Sequence, residues 1–167
     1  YTSLLNKQAG MKADLTIVRM GKNQFRIITG VTDGPRDKIW FTQHLPEDGS
    51  VRLIDQTTEI CTIGVWGPRA RDIIQSLTNA DMSHKEFKFG WARDINLGDI
   101  KVWAFRISYV GDLGWEIYIP MKHGQAVWDI IAEAGKPHGI VPAGIGVYGT
   151  TGRLEKGYRL FGAELEG

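Results

Sequence analysis

A carboxylate and an aromatic ring brought side by side in the stretch Ile107 to Pro120 are the first residues here whose types and spacing could do chemistry. Lys101, Trp103, Phe105, Ile107 and Tyr109 alternate with Val102, Ala104, Arg106 and Ser108, the period-two pattern of a strand, and Trp115 to Ile119 resumes it. Gly111 and Gly114 bracket Asp112-Leu113 and supply the backbone angles of a tight reversal, so the stretch reads as a hairpin. A symmetric turn sets Val110 opposite Trp115 and Tyr109 opposite Glu116, with Cβ atoms roughly 5 Å apart. Such a pair could floor a flat heterocycle. It could also be an ordinary exposed cross-strand contact, and the pattern alone favours the latter.

Other chemistry-bearing patterns are weaker. Gly144-Ile145-Gly146-Val147-Tyr148-Gly149 matches G-x-G-x-x-G, but a dinucleotide site needs a buried strand before it and a long helix after it. Here His138-Gly139-Ile140-Val141-Pro142 is short and broken by proline, so glycine-rich packing under Thr150 to Leu160 is expected instead. His44, His84, His123 and His138 lack i, i+4 pairing and a carboxylate at ligand spacing, and no metal site is expected. There is no G-x-S-x-G elbow, and lone Cys61 has no inferable relation to a histidine, so covalent nucleophilic catalysis finds little support.

Stepping outward, 167 residues with 43% hydrophobic content can bury a core and amount to one domain or slightly more. A formal net charge of +1, with no basic cluster interleaved with aromatics, argues against a nucleic-acid partner. A single cysteine excludes an internal disulfide, reads as a buried inert thiol and favours a reducing compartment such as the cytoplasm. No apolar run approaches the roughly 18 to 20 residues of a membrane span, so no membrane partner is expected. Tyr1 to Asn6 has no signal-peptide shape, and a first residue other than methionine suggests an excised piece of a longer protein.

The elements that must position these groups follow from periodicity. Asp14 to Met20 alternates, Gly21 to Gln24 turns, and Phe25 to Thr29 returns, a first hairpin. Ile39, Trp40 and Leu45 suggest a short helix beginning near Pro35. Val51 to Ile54 with Glu59 to Trp66 would make a second hairpin. Gly67-Pro68 opens a helix whose Ala70, Ile73, Ile74 and Leu77 share one face. Residues 79 to 92 read as a connection with one short strand, leading through Asn96-Leu97-Gly98-Asp99 into the Tyr109 hairpin. A last helix from His123 to Ala134 buries Val127, Ile130 and Ile131, with Gly135 as its stop. Successive hairpins, each followed by a helix, and strands that alternate predict an α+β fold with antiparallel sheets.

Four segments, in the same order, resemble one family: Asn6 to Val18, Gly67 to Ala70, Ser108 to Glu116, and Arg153 to Gly157. Across nearly the whole chain they are similar to the aminomethyltransferase (glycine cleavage T-protein) folate-binding domain, which also forms part of dimethylglycine and sarcosine dehydrogenases. The resemblance places residues 1–167 in the central part of that domain, without its N-terminal stretch and C-terminal barrel. It implies a tetrahydrofolate-dependent one-carbon (aminomethyl or methyl) transferase, with tetrahydrofolate as cofactor, a small-molecule amine or methyl donor, and an upstream flavoprotein domain as partner.

Carried over by resemblance, Asp14 falls on the catalytic carboxylate beside the reacting folate nitrogens. Glu116 falls on the carboxylate that holds the pterin edge, and Tyr109 and Tyr1 fall on aromatic positions of the pterin pocket. The residue types suit these roles. A pterin presents an amino group and a ring N–H side by side, and one carboxylate accepts both. One-carbon transfer to a secondary amine calls for a group that orients the amine, stabilises positive charge and takes a proton. Without the resemblance Asp14 reads as a strand-start residue capping its own backbone. Departures from the family pattern are Gly30 in place of an asparagine, Gly149 in place of a folate-contacting arginine, and Ala13 in place of the first of two aspartates. Tyr158 stands where the iron-sulfur-assembly branch carries a cysteine. Two alternatives remain open: a degenerate, non-catalytic folate-binding or interaction module, and a folate-dependent O- or S-demethylase.

Overall fold

The computed structural model describes residues 1–165. The chain folds as two compact units, one made of Tyr1–Asp55 with the chain from Arg159 onward, the other of Gln56–Tyr158. Among the described residues no helix is long and apolar enough to cross a membrane, and no group of three or more His, Cys, Asp or Glu is placed to hold a metal ion.

In the first unit, β1 (Thr2–Leu5), β2 (Met11–Gly21) and β3 (Gln24–Ile28) form an antiparallel sheet in that order. The expected β2–β3 hairpin is present, with Thr16 opposite Ile28 and Val18 opposite Arg26. Alternation on β2 buries Ala13 and Leu15, leaving Asp14 and Thr16 on the other face. Strand β1 was not legible in the sequence: it is a four-residue strand at the sheet edge, without an alternating pattern. Asn6 makes the turn into β2 by accepting the Gln8 and Gly10 amides at 3.0 and 2.8 Å. Helix α1 (Gly34–Gln43) begins with Pro35 in its first turn, as expected. Its buried residue is Asp37, however, and Ile39 is exposed.

The second unit holds β4 (Ile60–Trp66), α2 (Ala70–Ser76), β5 (Ala92–Leu97), β6 (Ile100–Phe105), β7 (Gly114–Pro120) and α3 (Gly124–Gly135). The sheet runs β4-β7-β6-β5, antiparallel throughout. Its inner face carries Val65, Ile95, Leu97, Val102, Ala104, Trp115, Ile117 and Ile119, packed with Ala70, Ile73 and Ile74 of α2 and Val127 and Ile131 of α3. Each fully buried aliphatic side chain contributes about 1.5–3 kcal/mol relative to exposure, so this cluster dominates the unit. The α+β class with antiparallel sheets is as the pattern predicted.

Two strand pairings differ from expectation. Val51 to Ile54 forms no strand, and β4 instead pairs along its length with β7, from Ile60 opposite Pro120 to Trp66 opposite Gly114. The hydrophobic pattern marks β4 as a strand but carries no information on which distant strand completes its inner face. The Tyr109 hairpin exists, but its ladder is displaced. β6 ends at Phe105, which stands opposite Glu116, and residues 106–113 form a loop, so Tyr109 does not face Glu116. The cause is Arg106. Its backbone bonds to Gly90 and Trp91, and its buried guanidinium donates to the Phe87 carbonyl at 2.6 Å and to His84 Nδ1 at 2.9 Å. Burial, with Arg71 nearby, lowers the Arg106 pKa from its ordinary value. Arg71 and Arg106 both lie over the fully buried Trp115 indole, 5.9 and 5.8 Å from its centre.

The G-x-G-x-x-G stretch has no strand before it; Gly146–Gly152 forms a π-helical turn that runs into Arg153–Glu155. The nucleotide context is therefore absent, in keeping with the sequence reading.

Candidate functional site

Strand β7 sends Trp115, Ile117 and Ile119 inward, so Gly114, Glu116 and Tyr118 occupy its outer face. Neighbours in register on that face are Gly64 and Thr62 of β4, opposite Glu116 and Tyr118, and Phe105 and Trp103 of β6, opposite the same two residues. Trp103 meets Tyr118 edge-on with ring centres 4.9 Å apart and lies 5.9 Å from Phe105. Tyr118 donates its hydroxyl proton to Glu116 Oε2 at 2.6 Å. Glu116 Oε1 has no hydrogen-bond partner among the described residues.

Burial raises the Glu116 pKa above the usual glutamate value, and the Tyr118 hydrogen bond opposes that shift. The result is a half-buried carboxylate with one oxygen fixed and the other available, set among aromatic rings. Such a group suits a flat ligand bearing two adjacent N–H donors. A reduced pteridine edge has that donor pattern, so the residues present fit tetrahydrofolate.

Tyr109 lies in the loop after β6 and stacks on Tyr158, with ring centres 6.3 Å apart and planes 21° apart. The loop is fixed from several sides. The Gly67 amide donates to the Leu113 carbonyl at 2.8 Å. The Lys156 stem crosses Gly111, where a Cβ would come within 2.3 Å of Lys156 Cγ, and Gly111 has φ +76°. Val110 presses on Gly152. Three of the four segments that carry the resemblance, Gly67 to Ala70, Ser108 to Glu116 and Arg153 to Gly157, thus meet in the second unit.

Asp14 belongs to the first unit. It stands on β2 opposite Ser3 and accepts a hydrogen bond from the Tyr1 hydroxyl to Oδ2 at 2.7 Å. Two expected site residues, Tyr1 and Asp14, are therefore in direct contact, although Tyr1 is 77% exposed. Gly30 has no room for a side chain without displacement, since a Cβ there would lie 2.8 Å from Asp33 Oδ2, and Asp33 pairs with Arg36 at 3.0 Å.

Sequence reasoning missed Tyr118, Phe105 and Trp66 as neighbours of Glu116. The spacing Glu116-x-Tyr118 was a usable signal, because i and i+2 share a face on a strand. Asp37 was also missed. It is 2% exposed and accepts hydrogen bonds from the Thr29 hydroxyl and, at 3.1 and 3.0 Å, from Arg36. Cys61, expected to be buried, is partly exposed with Sγ 3.7 Å from the Ile119 carbonyl.

The whole chain, residues 1–167, matches the family model of the GCVT N-terminal domain. It is 35% identical over 164 residues to mitochondrial dimethylglycine dehydrogenase of Homo sapiens, an alignment covering 97% of this chain and 19% of that protein. It is 33% identical over 165 residues to an aminomethyltransferase of Geobacillus sp. (strain WCH70), covering 99% of this chain and 44% of that protein. The chain thus spans less than half the length of these curated relatives. The heterotetrameric sarcosine oxidase from Corynebacterium sp. U-96 has a chain similar in fold, with a TM-score of 0.62 at 14% identity over 81% of this chain and 67% of that one. Matched along its full length and sharing a fold with that oxidase, the chain belongs to the GCVT N-terminal domain family.

Proposed function

We propose that this chain is the folate-binding part of an enzyme that transfers a one-carbon unit from an amine or methyl donor to tetrahydrofolate. The observation that carries the reading is Glu116: a half-buried carboxylate, oriented by Tyr118, with a free oxygen among aromatic rings. Family membership supports the reaction class; the similar aminomethyltransferases are named for an activity of this kind, and dimethylglycine dehydrogenase is named for acting on a methylated amine.

In this reading Glu116 accepts the two N–H donors of the pterin edge, and Tyr118, donating to Oε2, opposes the rise in pKa that burial causes and so favours the ionised form. Bound tetrahydrofolate supplies the secondary amine nitrogen that receives the carbon. Asp14 orients that nitrogen and takes its proton, with Tyr1 fixing the Asp14 carboxylate from one side. Tyr109, locked by its stack on Tyr158, serves as an aromatic pocket residue. The donor is proposed to reach the site through a flavin-dependent partner region, and a lone thiol at Cys61 supports a reducing compartment such as the cytoplasm.

Calorimetric titration of the full-length protein with tetrahydrofolate tests the assignment. Saturable binding that is lost in Glu116→Gln supports it; no binding by the wild type, or binding unaltered by that change, refutes it. Mass analysis of the product separates an aminomethyl transferase, which forms methylene-folate, from a demethylase, which forms methyl-folate. Gly30, with Asp33 standing where its side chain would be, favours a second reading as a non-catalytic folate-binding module. Sustained folate-dependent turnover with amine or methyl donors would exclude it.

A further inference from the structure

Trp66 is the last residue of β4, in register with Gly114, and it shares the outer face with Glu116. Two glycines flank Glu116 on that face: Gly64 directly across on β4 and Gly114 two residues earlier on β7. The Trp66 indole occupies the space above both. A Cβ on Gly64 would come within 2.7 Å of Cζ2 and 2.8 Å of Cε2, and one on Gly114 within 2.5 Å of Cδ1. The indole edge that carries Nε1 is therefore pressed against the sheet beside the carboxylate. Trp66 Nε1 is buried and has no hydrogen-bond partner among the described residues. A lost hydrogen bond of this kind ordinarily costs stability, so a fold that keeps it calls for a reason. The far side of the indole is backed edge-on by Tyr148, with ring centres 5.3 Å apart and planes at 80°, and neighbouring Gly149 brings no side chain. Gly64, beneath the indole, remains solvent-exposed, so the indole lies at the surface of the sheet where a ligand can reach it.

We infer that Trp66, seated on Gly64 and Gly114 and backed by Tyr148, is a binding residue: the aromatic wall against which the flat ring gripped by Glu116 packs. This rests on the pteridine reading of Glu116 and adds the residue that sets ring affinity. With Phe105 across β6 and Tyr118 two residues on, the wall closes a third side around the carboxylate, and the ring packs on the side of the indole turned away from Tyr148. A side chain on Gly64 would push the indole away, and one on Gly114 would meet both the indole and the Val65 carbonyl, so Gly64 is the glycine that belongs to the wall alone.

The test uses the full-length protein, with 5-formyltetrahydrofolate as an air-stable reduced pteridine, followed by calorimetry and tryptophan fluorescence. Trp66→Leu is expected to weaken binding about tenfold or more, the scale of a lost aromatic stacking contact. Trp66→Phe should bind with a smaller loss and should remove the larger part of the ligand-induced fluorescence change. Gly64→Ala, which keeps every group of the wall but displaces the indole, should weaken binding as Trp66→Leu does. Wild-type affinity in both Trp66→Leu and Gly64→Ala overturns the wall while leaving the Glu116 reading intact. Loss in Trp66→Leu with unchanged binding in Glu116→Gln upholds the wall and refutes the carboxylate grip. Should Trp66→Leu not fold, Trp66→Phe and Gly64→Ala decide: an unchanged fluorescence response in the first with full affinity in the second overturns the inference. Absence of any wild-type binding overturns both proposals together.

Discussion

Replacing Tyr118 with phenylalanine removes one hydroxyl and keeps the ring that packs on Trp103, so its effect reports the bond to Glu116. That bond is a short O–H···O contact of 2.6 Å to a half-buried carboxylate. Hydrogen bonds to charged groups contribute about 1.5–3 kcal/mol, and the lower figure corresponds to about a tenfold change in an equilibrium constant. In the native protein, burial raises the Glu116 pKa and Tyr118 restrains the rise; Tyr118→Phe therefore raises it further. The direction fixes two opposite pH signatures. Because the folded state holds this proton more tightly than the unfolded one, the stability it contributes is fully present below the unfolded glutamate pKa. It is lost as pH rises through the folded value. The variant loses more on that climb, so its stability deficit is small in acid and grows to about 1.5 kcal/mol at alkaline pH. Folate affinity behaves the other way, since a ligand offering two N–H donors needs the ionised carboxylate. The affinity deficit is about tenfold on the acidic side of the folded pKa and closes as pH rises above it. Urea unfolding and calorimetric titration across a pH series measure the two curves. Wild-type and variant curves that run parallel in both assays would refute the reasoning, because the bond would then not favour the charged form.

Four further substitutions separate chemistry from support. Asp14→Asn is expected to abolish detectable one-carbon transfer in the full-length enzyme while leaving folate affinity within about threefold, measured as kcat against Kd; equal losses in both would make Asp14 a binding residue. Asp37→Ala strands the Thr29 hydroxyl and removes one of the two carboxylates on Arg36, which keeps Asp33, and should destabilise the protein by about 1–3 kcal/mol in urea unfolding. Gly114→Ala sets a methyl within 2.3 Å of the Val65 carbonyl and should cost about 2 kcal/mol or more, whereas Gly144→Ala, with open space and no positive φ, should be neutral or stabilising by a few tenths up to about 1 kcal/mol; a comparison of their melting temperatures checks both.

What the sequence disclosed was local. The α2 face of Ala70, Ile73 and Ile74, the β2–β3 hairpin and the span of α3 all rest on periodicities within about a dozen residues, and each is present. Pairing across distance was not written in that pattern. Adjacency in sequence points to Val51 to Ile54 as the partner of β4, yet it is β7 that pairs with β4 and brings Trp115, Ile117 and Ile119 to the inner face. The strand that carries Glu116 was legible, but the neighbour expected across from it, Tyr109, lies in the loop before that strand, and Phe105 stands opposite instead. The alternation through Arg106 and Ser108 looked like continuing strand, and nothing in it disclosed that Arg106 would turn to bond Phe87 and His84.

The same limit explains why Trp66 escaped notice, and also what would have revealed it. Gly64-x-Trp66 and Gly114-x-Glu116 are unremarkable apart, since glycine in a strand weakens it by about 0.5–1 kcal/mol and commonly marks a bulge. Once β4 and β7 are paired, the two glycines fall on either side of one carboxylate and beneath one indole. Neither contributes a side chain to the inner core, so packing of the sheet on α2 and α3 gives no reason for them. Their cost is accounted for on the outer face, where they make room for the indole beside Glu116. Gly114 is also kept bare by the fold, since the Val65 carbonyl lies 2.3 Å from where its Cβ would stand; Gly64 meets only the indole, so the indole wall beside Glu116, rather than the packing of the sheet, is the better explanation for Gly64.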